Sequence, residues 1–88
     1  MIYLLVRHKV EDYAKWRPIF DGHIPAQKKA GLKNLYVLRE DKDPNNLFVL
    51  FEGEDLAKAR EFTESADLRE TMQKAGVIGI PDIHFLNK

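Results

Sequence analysis

Hydrophobic and polar positions set out the elements of this chain one after another. Residues 2–9 read as a strand, with Leu4, Val6, His8 and Val10 on one side and Tyr3, Leu5, Arg7 and Lys9 on the other. The period then changes. Tyr13, Trp16, Phe20, His23 and Gln27 recur at intervals of three and four, which puts all five on one helical face. Asp12 is placed to cap that helix, which extends to about Ala30, with Gly31 where a left-handed terminal residue belongs. Pro18 and Pro25 fall inside the span and predict a bend, or a break near Pro25. Residues 33–41 form a second strand around Leu35-Tyr36-Val37-Leu38. Asp43-Pro44-Asn45-Asn46 is a turn, and residues 47–53 form a third strand, so the two strands make a hairpin. A second helical region follows Asp55, with Leu56, Ala59, Phe62 and Ala66 in one stripe. A break is expected near Ser65, with a further piece over 66–75 carrying Leu68, Met72 and Ala75. Gly76 ends it, and Gly79 and Pro81 lead into a last strand from Ile83 to Leu86.

The order strand, helix, strand, strand, helix, strand is the ferredoxin-like α+β pattern: a four-stranded antiparallel sheet with its helices on one face, here as a single domain over residues 1–88. The strands are not one-sided, however. Ile2–Val6, Leu35–Leu38 and Leu47–Phe51 are uninterrupted apolar runs, the pattern of strands buried on both faces. Two helices cover only one face. The other is expected to meet a second copy, giving a homodimer through the sheet face.

Composition narrows the function. Fourteen basic and fourteen acidic side chains cancel and are mixed along the chain, so there is no basic footprint for nucleic acid. No apolar run approaches the roughly 20 residues of a membrane span, and no secretory signal pattern is evident. Cysteine is absent, which removes disulfides and thiolate metal sites; a cytoplasmic location is expected.

The first-helix stripe carries the candidate chemistry. It passes from aromatic to hydrogen-bonding side chains along its length, as the wall of a small-molecule pocket does. His8, if its strand face meets the helices, enters the same pocket. An imidazole with an ordinary pKa near 6.5 suits general-base work, so His8 and His23 are the candidate catalytic residues. Each has a plainer role open to it, as a strand-end or half-buried core histidine. Trp16 and Phe20 are candidate ligand contacts, with Tyr36 and Phe51 completing the wall unless they lie on the other sheet face. His84 is expected near His8, because the first and last strands should be antiparallel neighbours, and it is counted with the ligand contacts. A three-histidine metal site is disfavoured by the lack of local ligand spacing, and neither a metal nor a cofactor is expected. Arg17 and Arg39 read as solvated charges. Gly76-Val77-Ile78-Gly79 is not a phosphate loop, since it has no lysine and leads into a strand.

Val6-Arg7-His8-Lys9-Val10, Asp12-Tyr13, Lys15-Trp16, Phe20 and His23, with Leu68-Arg69-Glu70, Met72, Lys74-Ala75-Gly76-Val77, Gly79, Pro81-Asp82-Ile83 and Phe85-Leu86, resemble small dimeric α/β-barrel proteins related to the antibiotic biosynthesis monooxygenase family. The resemblance implies a ligand cleft between helices and sheet in each protomer. It includes oxygenases that oxidise polycyclic phenols without metal or flavin, and haem degraders. The haem degraders place a histidine on the second helix with a tryptophan nearby; residues 56–75 contain neither, which argues against haem degradation. The expectation is therefore a cofactor-independent monooxygenase or isomerase acting on a small, partly aromatic substrate. The rival is a ligand-binding or stability module without catalysis.

Overall fold

Strands β1 (Ile2–Val10), β2 (Leu32–Arg39), β3 (Asn46–Gly53) and β4 (Val77–Asn87) form one antiparallel sheet in the order β2-β3-β1-β4. They are seen in a computed structural model that describes all of residues 1–88. Helices α1 (Tyr13–Gly22) and α2 (Ile24–Lys29) link β1 to β2; α3 (Leu56–Thr63) and α4 (Ala66–Lys74) link β3 to β4. This is the ferredoxin-like α+β fold expected from the element order.

Local chemistry sets the helix ends. Asp12 accepts from the Ala14 amide at 2.9 Å, Asp55 from Ala57 at 2.8 Å and Ser65 from Leu68 at 3.2 Å, each satisfying an amide with no partner inside its helix. The break in the first helical span falls at His23, slightly ahead of Pro25. Pro25 then sits in the first turn of α2, where its missing N–H costs nothing. Pro18 remains inside α1 and is tolerated there. Gly31 (φ 75°) and Gly76 (φ 80°) turn the chain out of the helices in the left-handed region that other residues avoid.

The last strand is longer than the sequence pattern suggests, starting at Val77 and not Ile83. Arg7 pairs with Asp82 and Lys9 with Ile78, so the residues between form a bulge that absorbs Gly79 and Pro81. Proline removes no ladder bond at a bulge on an edge strand, and β4 is at the edge. A second irregularity lies in β2 between Asn34 and Tyr36. The Asn34 amide bridges it by donating to the carbonyls of Tyr36 and Leu50, both at 3.1 Å.

Register separates the two faces. Leu4 opposes Phe51, Val6 opposes Val49 and His8 opposes Leu47; these side chains face the helices and are buried with Trp16, Ala59 and Ala75. The opposite face carries Tyr3, Leu5, Phe48 and Leu50. Beside them lie Tyr36 (59% exposed), Leu38 (54%) and Leu86 (42%), with no element of the chain above them. The outer face thus carries an apolar patch bordered by the Arg7–Asp82 ion pair (2.6 Å), Glu52 and His84.

Candidate functional site: a cavity between helices and sheet

β1 and β3 form the floor of a cavity with Leu4, Val6, His8, Val49 and Phe51. Helices α1 and α2 supply one wall with Trp16, Phe20 and Gln27, and His23 lies at the junction between them. Phe62, Thr63, Leu68, Thr71 and Met72 of α3 and α4 supply the other. Its volume is about 50 Å³, room for a few waters at roughly 10–15 Å³ each and below the roughly 150 Å³ of a cavity that holds benzene, so a ring-sized ligand enters by displacing part of the lining. No Lys, Arg, Asp or Glu lines it. The cavity therefore offers nothing to neutralise a charged ligand group, and burying one there would be costly.

The aromatic wall is continuous. Trp16 stacks between Tyr13 (ring centres 5.8 Å apart) and Phe20 (4.7 Å), and Phe20 reaches Phe51 across the cavity at 6.3 Å. Both faces of the indole are thus covered by neighbouring rings, and the stack forms one rigid apolar wall.

His8 is the polar centre. It is 5% exposed, and neither ring nitrogen has a hydrogen-bond partner. Removal from water, with the nearby Arg7 charge adding to it, lowers its pKa to about 4, so at neutral pH the ring is uncharged. A neutral imidazole has one N–H to give and one nitrogen to accept, and both are unused. Gln27, 3% exposed, is the second such group: its Oε1 is buried without a partner. Buried polar groups are normally hydrogen-bonded, so two orphans on one cavity mark it as a place awaiting polar atoms.

His23 differs from both. Its Nε2 lies 2.9 Å from Oδ2 of Asp67, in the first turn of α4, and its ring packs against Phe62 at 5.8 Å. The carboxylate fixes the ring orientation.

Of the candidate residues, His8, Trp16, Phe20, His23 and Phe51 meet at this cavity. Tyr36 and His84 do not, and their assignment as ligand contacts is corrected. Tyr36 opposes Leu50 and His84 opposes Leu5, both on the outer sheet face, and both are exposed. The three histidines consequently do not converge, and no group of three His, Asp or Glu side chains is placed to hold a metal ion. Arg17 pairs with Asp21 at 3.1 Å and Arg39 lies 4.0 Å over the Tyr13 ring; neither lines the cavity. Sequence reasoning left out Gln27 as a site residue although it had placed it on the stripe. It placed Phe62 and Met72 only among the apolar positions of the second helical region, and it had no signal for Asp67, an ordinary exposed acid in sequence terms.

No family model matches the chain, and neither does any curated protein. Solved structures do. A Bordetella bronchiseptica protein provisionally named an antibiotic biosynthesis monooxygenase superposes with a TM-score of 0.81 at 18% identity, over 99% of this chain and 95% of its own. A conserved protein from Methanosarcina mazei Go1 gives 0.75 at 18% identity, over 99% and 91%. SnoaB, a cofactor-independent oxygenase from Streptomyces nogalater, gives 0.76 at 13% identity, also over 99% and 91%. The chain thus has the ferredoxin-like fold of the antibiotic biosynthesis monooxygenase-like proteins.

Proposed function

We propose that this chain is a homodimeric, small-molecule-binding α/β-barrel protein that acts as a cofactor-independent monooxygenase or isomerase on a small, partly aromatic, uncharged substrate. The observation that carries the reading is His8: a neutral imidazole with both nitrogens free, set edge-on to Trp16 in an apolar cavity. An unpartnered buried polar group costs roughly 1–3 kcal/mol, a cost that a ligand's polar atom would remove. The likeness to SnoaB in fold supports the reaction class.

In the proposed chemistry the substrate ring lies against Trp16 and Phe20. An imidazole takes a proton from a hydroxyl or activated C–H of the substrate. His23 is the proposed base in this arrangement, because Asp67 holds its ring in a fixed orientation at the cavity wall. His8, held uncharged, orients the substrate by hydrogen bonds and accepts a proton only when the anion formed stays beside it. The anion then adds to O₂ through a ring carbon; the hydroperoxide so formed loses that carbon's proton and breaks its O–O bond, leaving one oxygen as a quinone carbonyl and releasing the other as water, or, in the isomerase case, the anion is reprotonated at another carbon. The low basicity of His8 also favours a second reading, in which it is a hydrogen-bond anchor in a binding module with no reaction.

The second copy is proposed to cover the outer face around Leu5, Phe48 and Leu50. Stable interfaces bury about 800 Å² per partner, and soluble monomers rarely expose a contiguous apolar patch of that size.

Trp16 is the sole tryptophan and forms a wall of the cavity, so its fluorescence reports occupancy directly. Titration with 4-methylphenol, 1-naphthol and 1-tetralone should give saturable quenching that His8→Leu weakens. O₂ uptake, or proton exchange into deuterated water, should follow for at least one of them and be lost in His23→Asn. Binding without turnover supports the module reading, and no quenching by any of the three overturns the small-molecule site.

A further inference from the structure

Hydrogen-bonding capacity is left unfulfilled at two ends of the cavity. His8 lies beside Trp16, and Phe20 lies beside Phe51, which opposes Leu4 across the sheet. Progress along the helical stripe from Trp16 to Phe20 thus corresponds to progress along β1 from His8 to Leu4. Gln27 comes later again on the same stripe, in α2, which packs next to β2 beyond that end. The segment between the two orphan groups is apolar on the sheet side, through Val6, Leu4, Val49 and Phe51.

We infer that Gln27 is a specificity-determining residue: its buried Oε1 accepts from a donor at one end of the ligand while His8 holds the other end, so that the cavity selects uncharged, rod-shaped apolar molecules with hydrogen-bonding groups at both ends. This rests on the reading of the cavity as a small-molecule site. Three arguments support it. Gln27 and His8 are both more than nine-tenths buried, and each presents a polar atom with no protein partner. No Lys or Arg lines the cavity and His23 is already paired with Asp67, so an ionised carboxylate or phosphate finds no free counter-charge and neutral polar ends are favoured. Finally, an amide carbonyl that has lost water without replacement rejects a ligand lacking a donor, because that ligand leaves it unpaired in the complex as well.

The donor and acceptor sets are specific. An uncharged His8 offers one donor and one acceptor, and the free valence of Gln27 is an acceptor. A hydroxyl at each end satisfies the pair. A methyl group at the Gln27 end does not.

The test uses three para-substituted rings of similar shape and rising polarity: p-xylene, 4-methylphenol and 4-(hydroxymethyl)phenol, titrated against Trp16 fluorescence. The two-ended alcohol is expected to bind the native protein about tenfold or more tighter than 4-methylphenol, although water holds it more strongly. Gln27→Met, which keeps the length and removes the amide acceptor, is expected to abolish that preference, bringing the ratio of the affinities for the two-ended alcohol and 4-methylphenol to about one. Equal binding of the two phenols to the native protein overturns the inference without reference to any variant, as does a preference that survives in Gln27→Met. Failure of all three, p-xylene included, overturns the cavity reading itself, an outcome distinct from loss of the two-ended preference.

Discussion

The imidazole of His8 meets the indole of Trp16 edge-on, with ring centres 5.7 Å apart and planes inclined at 72°. The contact joins the end of the first strand to the first full turn of the first helix and holds a titratable ring, without a hydrogen bond, against an aromatic wall. Such an arrangement sacrifices stability. His8→Leu fills similar space with an apolar side chain and removes two unsatisfied nitrogens. It is expected to stabilise the ligand-free protein at pH 7 by about 1–3 kcal/mol, which for a domain of this size raises Tm by at least about 4 °C. Thermal unfolding followed by circular dichroism checks this. A lower Tm would mean that His8 has a partner holding it in place.

Stability should also fall with acid in a way that belongs to His8. Its folded-state pKa is depressed to about 4 from an ordinary value of 6.5, so between those limits the unfolded chain binds the extra proton. The contribution is fully present above pH 6.5, is lost as pH falls toward 4, and changes no further below that. A shift of this size amounts to about 3 kcal/mol across the window. Denaturant unfolding at pH 7 and at pH 4.5 should therefore show a steeper loss in the native protein than in His8→Leu. Parallel loss in both would place the acid sensitivity in the carboxylates alone.

The His23–Asp67 pair separates catalysis from folding. Asp67 is largely exposed, and an ion pair of that kind is worth about 0–1 kcal/mol. Asp67→Asn is expected to leave Tm nearly unchanged, yet to lower kcat by tenfold or more on any substrate that turns over, with KM little altered, because the imidazole loses the carboxylate that orients its ring. An unchanged kcat would remove His23 from the role of base and leave the pair as a surface contact.

The outer sheet face predicts its own variants. Phe48 and Leu50 lie at its centre, flanked by Tyr36, Leu38 and Leu5. Sedimentation of the native protein should give twice the chain mass of 10.2 kDa, and Phe48→Asp or Leu50→Asp should give the single-chain mass, with the charge burying poorly against a second copy. A native protein that sediments as one chain contradicts the proposed dimer outright.

Much of this architecture is legible in the chain because its signals are local. The alternation in β1 put His8 on the same side as Leu4 and Val6, and the three-four spacing put Trp16, Phe20, His23 and Gln27 on one face; all of them line the cavity. Tyr36 and His84 were misplaced for a shared reason. The side of the sheet each one faces depends on how its strand registers against its neighbour. β2 carries a bulge at Asn34, and β4 carries one around Gly79 and Pro81. Strand ends are readable from the sequence, but parity relative to another strand across a bulge is not. The importance of Gln27 was hidden differently. A glutamine on a helical stripe is unremarkable until every neighbouring donor has been accounted for, and only three-dimensional packing shows that its Oε1 has none. Asp67 reached His23 across 44 positions of sequence, a separation no periodicity records.

The account depends on one state of one side chain, His8 held neutral and without a partner in an apolar cavity facing the helices. Following the His8 ring protons by NMR from pH 7.5 to pH 3.5 measures that state directly. A midpoint near 4 is the predicted result, and it should be absent from His8→Leu. A midpoint near 6.5 would contradict the account, because it would mean that the ring is bathed in water or faces the other side of the sheet.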